Sequence, residues 1–153
     1  MVALQDEHSA AFSPHLARAL EHAEAWATES ADGEEPPIER DNVRRALIEA
    51  ATDLEVAELL ELRTTWMEQI GQMPIAEGPM SKLFSTESIV KHAESITAAV
   101  GPDALRSSLD PTALEDGHIE HILRFSLGST IYAGTSEVQR NIIAQHRCGL
   151  PRG

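Results

Sequence analysis

The 153-residue chain is long enough to bury one apolar core, and its hydrophobic content of 42% is typical of globular proteins rather than disordered ones. Its 25 acidic and 12 basic residues give a formal charge of −13, which argues against contact with a nucleic-acid backbone or an anionic membrane surface. A single cysteine, Cys148, excludes an intrachain disulfide and suits a reducing cytoplasm, where we expect the protein. The sequence shows neither a secretory signal pattern nor an apolar run of about 20 residues.

Apolar residues at helical spacing, with breakers between them, predict the first two helices. The first ends near Glu29, and Ser13-Pro14 marks either its start or a kink in it, because proline is tolerated in a first turn and costly in a helix interior. Residues 30–37 combine Gly, two Pro and clustered acids, which predicts a loop. The second helix runs from about Arg40 to Gly71, with apolar positions at Val43, Leu47, Ala50, Leu54, Ala57, Trp66 and Ile70.

Three more helices follow. The third is predicted from about Pro79 to Val100, where Gly101-Pro102 stops it. The fourth runs from Ile119 to about Tyr132, and the last begins after Gly134. No region alternates with period two for long enough to predict a strand. The sequence therefore predicts an all-α fold, an antiparallel helical bundle against which the last two helices pack.

The last helix has clear signals at both ends. Thr135 or Ser136 can supply the N-cap oxygen, and Glu137 stands in the first turn, where the helix dipole favours an acid. Gly149 and Pro151 follow its last turn and prevent continuation.

Few residues outside that helix suggest chemistry. His118 and His121 share a helix face near Glu115 and Asp116, but without a second ligand pair we expect no metal site. Cys148 is predicted to be a packing residue, because the C-terminal end of a helix raises a thiol pKa. The other histidines are expected on the surface: His8, His15, His22, His92 and His146.

One continuous stretch goes further than composition and periodicity do. From Ile131 to Arg152 the chain reads I-Y-A-G-T-S-E-V-Q-R-N-I-I-A-Q-H-R-C-G-L-P-R, which closely resembles the C-terminal signature of acyl-CoA dehydrogenases. Upstream, Ser81-Lys-Leu-Phe84 resembles the family's Ala-Lys-Leu-Phe on the third helix. The order and lengths of the helices also resemble that family's C-terminal α-helical domain across nearly the whole chain.

The resemblance implies an FAD-dependent enzyme that removes the α-hydrogen of an acyl-CoA thioester as a proton and the β-hydrogen as a hydride. Residues 1–153 would form the C-terminal-like helical domain, without the N-terminal helical and middle β domains of complete members. The chain alone is then expected to be inactive and colourless. The alternative is a non-catalytic helical subunit that docks on a full-length acyl-CoA dehydrogenase in a hetero-oligomer.

Family resemblance also assigns the catalytic base. In most members a carboxylate follows the Tyr of the signature, but here that position is Ala133, whose methyl group cannot accept a proton. Some members place the base instead in a Leu-x-x-Glu-Arg context at the start of the first bundle helix. The matching residues here are Leu4 to His8, so Glu7 falls on the alternative base position and His8 replaces the usual Arg.

The same resemblance assigns the other contacts. Gly134, Thr135 and Glu137 match positions that touch the flavin's diphosphate or ribose region, and a helix N-terminus suits phosphate. Tyr132, with Ala133 and His8, would line the substrate side near the thioester.

Two segments depart from the family pattern. Many members carry Arg and Phe after the first helix, to reach the flavin of a neighbouring subunit, where this chain has Ser30–Glu34. Many also carry Gln-x-x-Gly-Gly after the third helix, where this chain has Ala98–Pro102. These departures put FAD binding by this chain alone in doubt. They resemble relatives that act on steroid-derived CoA esters as two unlike subunits, so we expect a homo- or hetero-oligomer through the bundle faces.

Overall fold

A computed structural model describes residues 11–30 and 34–151. These residues form five α-helices: α1 (Ser13–Thr28), α2 (Asp41–Gln69), α3 (Glu77–Val100), α4 (His118–Ser129) and α5 (Ser136–Arg147). Short 3₁₀ helices lie at Pro37–Glu39, Pro102–Leu105 and Leu114–Gly117, and the described residues contain no strand, so the all-α prediction is confirmed. Over the same residues, every helix is too short or too polar to span a bilayer.

The start of α1 is fixed by a carboxylate from α2. Glu61 Oε1 accepts hydrogen bonds from the backbone N–H groups of Phe12 and Ser13, at 2.8 and 2.9 Å. Its other oxygen accepts from the Ser13 hydroxyl. Since α1 has no acidic residue in its own first turn, Glu61 satisfies the free N–H groups and complements the helix dipole from outside. The predicted break at Ser13-Pro14 is therefore a helix start, and Pro14 lies in the first turn.

The third helix, α3, lies at the centre of the fold and packs against α1, α2, α4 and α5. The main core between α1, α2 and α3 is built largely from small and branched side chains, among them Ala23, Val43, Leu47 and Ile96. Alanines on the inner face of α1 let the helices approach closely. The last helix, α5, packs against α3 but against none of the other described α-helices, so α3 determines where the signature helix lies.

His92 lies inside the core, so the prediction of a surface histidine is wrong. The side chain is 0% exposed, and its Nε2 lies 2.7 Å from Asp53 Oδ2 on α2. Ile89, Ala93 and Ile96 share its buried helix face. Asp53 pairs with Nε2, whereas the buried Nδ1 has no hydrogen-bond partner among the described residues. Although burial opposes it, hydrogen bonds from His92 and Lys91 lower the pKa of Asp53.

Cys148 is also placed differently from the prediction. It is exposed rather than packed, because it follows the end of α5 at Arg147 and precedes a turn at Gly149, whose φ is +67°. The end of α4 also differs slightly from the prediction. The helix stops at Ser129, three residues before the predicted boundary, and residues 130–135 form a turn.

The second helix, α2, is apolar on two opposite faces. Its inner face is buried against α1 and α3 at heptad spacing: Val43, Ala50, Ala57 and Thr64. At 100° per residue, the opposite side carries Leu59, Leu62, Trp66 and Ile70, which are between 48% and 65% exposed. We call these four residues the outer face of α2. Trp66 and Ile70, which belong to the apolar pattern of the sequence, therefore lie at the surface.

We expect Glu61→Ala to lower the free energy of unfolding by about 1–2 kcal/mol, the usual cost of losing a helix N-cap. Thermal unfolding followed by circular dichroism would show a lower midpoint. Glu58→Ala is the matched control, because Glu58 is exposed on the same helix and makes no hydrogen bond or ion pair with the described residues. Equal midpoints for the two variants would show that Glu61 does not cap α1.

Candidate functional site

The turn between α4 and α5 has an unusual backbone. Ala133 and Gly134 both adopt left-handed conformations, with φ of +57° and +91°. For a residue with a Cβ this conformation costs about 1 kcal/mol, so the surrounding structure must hold Ala133 in place. Gly134 is required by space as well as by φ, because a Cβ there would lie 2.7 Å from Gln139 Nε2.

Two buried side chains hold the carbonyl groups of this turn. Lys82 on α3 donates from Nζ to the Gly134 carbonyl at 2.7 Å. Gln139 on α5 donates from Nε2 to the Ala133 carbonyl at 2.7 Å, with a longer contact of 3.4 Å to the Gly134 carbonyl. Burial lowers the pKa of the Lys82 ammonium. We call Lys82 and Gln139 the carbonyl clamp.

The first turn of α5 follows directly. Thr135 is its N-cap, and its hydroxyl oxygen accepts from the Val138 N–H at 3.4 Å, which confirms one of the two predicted caps. Glu137 is exposed, and hydrogen bonds from its own N–H and from the Thr135 hydroxyl lower its pKa. A carboxylate therefore already occupies the N-terminal end of the helix. A carboxylate accepts hydrogen bonds but repels phosphate, so this position suits a hydroxyl group better than a second anion.

Aromatic side chains join the turn to the start of α1. The Tyr132 ring stacks on Phe12, with 6.1 Å between centroids, and lies 6.2 Å from the ring of Phe125 on α4. Tyr132 remains 44% exposed, so one side of it faces open space, and partial burial raises the pKa of its hydroxyl. The structure thus places Tyr132 beside the start of α1, and the other assigned residues, Ala133 to Glu137, follow it into the first turn of α5. Glu7 and His8 lie outside the described residues.

The segments that depart from the family pattern lie at the other end of the bundle. Ala98–Pro102 ends α3, and 16 residues of helix separate Ala98 from Lys82, a distance of about 24 Å. The described part of Ser30–Glu34 contributes to a cavity of about 310 Å³ there, which is lined by Glu29, Glu34, Glu35, Pro37 and Arg40. Three carboxylates against one guanidinium make this end unsuited to a phosphate group.

Of the two histidines considered as metal ligands, His118 stacks on His22 of α1, whereas His121 has no ring or hydrogen-bond partner among the described residues. The rings of His22 and His118 stack with centroids 4.1 Å apart, and His22 Nδ1 lies 3.1 Å from Glu115 Oε2. His22 is half-buried rather than on the surface, while His121 is exposed. Within residues 11–30 and 34–151, no three His, Cys, Asp or Glu side chains are arranged to hold a metal ion.

Sequence reasoning missed the carbonyl clamp, although both residues lie inside the stretches that carry the family resemblance. A signal was available for Lys82. Its spacing from Thr86, Ile89 and Ala93 places it on the buried face of α3, where a lysine must have a specific partner. A weaker signal was available for Gln139, because its spacing from Ile142 and Ile143 places it on the same face of α5 as these apolar residues.

Comparison with known proteins identifies the family. The family described as acyl-CoA dehydrogenase, C-terminal domain, matches residues 8–147. The chain is 35% identical over 139 residues to L-prolyl-[peptidyl-carrier protein] dehydrogenase of Pseudomonas fluorescens, covering 89% of this chain and 34% of that protein. It is 33% identical over 113 residues to acyl-CoA dehydrogenase IpdE1 of Mycolicibacterium smegmatis, covering 72% of this chain and 26% of that protein.

Solved structures resemble it as well. The ChsE4-ChsE5 complex from Mycobacterium tuberculosis matches with a TM-score of 0.82 and 28% identity, over 92% of this chain and 37% of that one. The FAD complex of PigA matches with a TM-score of 0.77 and 28% identity, over 91% of this chain and 34% of that one. The chain therefore spans about a third of the length of these relatives.

His15, close to the aromatic side chains of the site, predicts how the stability of the fold depends on pH. His15 packs on Phe125, with centroids 4.3 Å apart, and its pKa is lowered from 6.5 by burial and by the nearby Arg18 and His121. Because the unfolded chain then binds the proton more readily, stability falls as the pH drops below about 6.5. Chemical denaturation between about pH 7 and pH 5 should show a smaller loss of stability for His15→Gln than for the wild type. His146→Gln is the control, because His146 is exposed on α5. If the stability of His15→Gln depends on pH just as that of the wild type does, the account is contradicted.

Proposed function

The chain belongs to the acyl-CoA dehydrogenase family, as its C-terminal domain, and we propose that it completes the flavin and thioester site of such an enzyme. The observation that carries this proposal is the position of the left-handed turn at Ala133 and Gly134. The turn leads into the N-terminus of α5 and lies against the first turn of α1 through Tyr132 and Phe12. The exposed side of Tyr132 offers an apolar wall for an acyl chain.

FAD is the cofactor implied, and when bound it accepts the β-hydrogen as a hydride. The described residues of this chain provide only part of a binding site for FAD. Thr135 and Glu137 stand at the open end of α5, where the carboxylate suits a ribose or ribityl hydroxyl. No basic side chain of the described residues is free at that end, because Arg140 is paired with Glu87. We therefore assign Gly134, Thr135 and Glu137 to the flavin but expect the remaining domains to supply most of the binding.

Glu7 is the proposed catalytic base. Ala133, at the usual position, has no group to take the α-proton. Residue 12 lies against Tyr132, and five extended residues span at most about 18 Å, so the chain before Phe12 can bring Glu7 in front of the turn. His8 would follow it on the substrate side, beside Tyr132 and Ala133.

The outer face of α2 is the proposed interface with another acyl-CoA dehydrogenase chain. Leu59, Leu62, Trp66 and Ile70 form a continuous exposed apolar stripe opposite the core. A helix that is apolar on both faces is typically packed on both, and exposed patches of this kind mark protein interfaces. The chain also covers only about a third of its relatives, one of which is the ChsE4-ChsE5 complex. We place the assembly in the cytoplasm, since a lone cysteine suits a reducing compartment.

The test uses this chain joined to, or co-expressed with, the N-terminal and middle domains of the family. Size-exclusion chromatography should give one species that absorbs in the visible flavin band, and acyl-CoA should bleach that band without oxygen. Glu7→Gln should slow bleaching by about 10²–10⁴-fold with flavin content unchanged, because removal of a general base costs that much. Asp6→Asn is the control for loss of a neighbouring charge.

Two outcomes would contradict the proposal in different ways. If the chain elutes apart from the other domains, and these bind flavin and react without it, this chain does not complete the site. If the complex forms and Glu7→Gln bleaches at the wild-type rate, the base is another residue. In the Glu7→Gln background, Ala133→Glu should restore part of the rate, because it returns a carboxylate to the usual position.

A further inference from the structure

Lys82 is a buried cation that forms no ion pair with the described residues; the carboxylate that acts on it from farther away, Glu87, is bound by Arg140. Lys82 is 8% exposed, and none of the described carboxylates lies within 4.0 Å of its ammonium group. Its one hydrogen bond goes to the neutral Gly134 carbonyl. Removing an ammonium group from water is strongly unfavourable, and a single carbonyl does not restore the lost hydration. Stability alone would favour an uncharged side chain of similar length at this position.

Gln139 is also incompletely satisfied. The side chain is 1% exposed, and its amide nitrogen donates hydrogen bonds to the carbonyls of Ala133 and Gly134. Its amide oxygen is buried and accepts no hydrogen bond from the described residues. A buried acceptor left unpaired is destabilising. Both clamp residues thus hold the turn at a cost to the stability of the fold.

The clamp determines which way the peptide groups of the turn face. In a trans peptide the C=O and N–H bonds point in opposite directions. Because Lys82 and Gln139 hold the carbonyls of Ala133 and Gly134 towards α3 and α5, the N–H groups of Gly134 and Thr135 face away from the core. Neither N–H group donates a hydrogen bond to any described residue. Two adjacent free N–H groups at a helix start are suited to a polar or anionic ligand.

We propose that Lys82 is a positioning residue of the flavin site, which it serves by holding the Gly134 carbonyl inward so that the N–H groups of Gly134 and Thr135 meet the cofactor. This inference rests on the proposed function and deepens it. The lysine does not touch the cofactor. Its charge lies behind the turn, on the side of α3.

The decisive variant is Lys82→Met, which keeps the apolar stem and removes both the charge and the hydrogen bond. In the flavin-carrying complex, the dissociation constant for FAD should rise by about 10- to 100-fold, as expected for loss of one charge-assisted hydrogen bond. The thermal midpoint of this chain alone should stay the same or rise, since replacing an unpaired buried charge is not destabilising. Lys91→Met is the matched control, because Lys91 is the other lysine, lies exposed on α3 and gives the same change in net charge.

A second readout follows the turn without any cofactor. In ¹⁵N-labelled chain, the amide signals of Gly134 and Thr135 should shift in Lys82→Met and not in Lys91→Met. The inference is overturned if those amides do not move, or if the wild-type complex binds FAD and Lys82→Met binds it equally well. A variant that is destabilised together with weaker FAD binding would also overturn it, since that pattern describes a structural lysine. A wild-type complex without flavin would refute the proposed function itself, and this inference with it.

Discussion

The two hydrogen bonds that hold the carbonyls of Ala133 and Gly134 are the constraint on which the site depends. A left-handed alanine is unfavourable by itself, and the turn persists because Lys82 and Gln139 bind it from α3 and α5. The same turn ends α4, starts α5 and places Tyr132 on Phe12. One local conformation thus fixes the relation between three helices and the open space in front of them.

The two faces of α2 contribute to different properties, one to the stability of this chain and the other to the proposed assembly. Its inner face contributes to the core, and Glu61 on the same helix caps α1 and so fixes the first turn beside Tyr132. Its outer face leaves four apolar side chains in water, which does nothing for this chain alone. The helix therefore connects the proposed interface to the proposed site through Glu61.

Helix positions and the α5 cap followed from the sequence, because periodicity, Gly, Pro and N-cap residues act locally. The Ile131–Arg152 stretch gave the family. The errors concern contacts between helices. Nothing local in the sequence showed that Asp53 would accompany His92 into the core, that Trp66 would face water, or that Lys82 would reach Gly134, 52 positions away. Such pairings depend on how α2, α3 and α5 pack, which periodicity does not define.

The central claim is that the turn at Tyr132–Thr135 faces the flavin. The most direct measurement compares amide spectra of ¹⁵N-labelled chain bound to its partner domains with and without FAD. The account predicts that the largest flavin-dependent shifts fall on Gly134, Thr135 and Glu137. Shifts confined to α2 or to the acidic end near Glu34, with the turn unchanged, would contradict it.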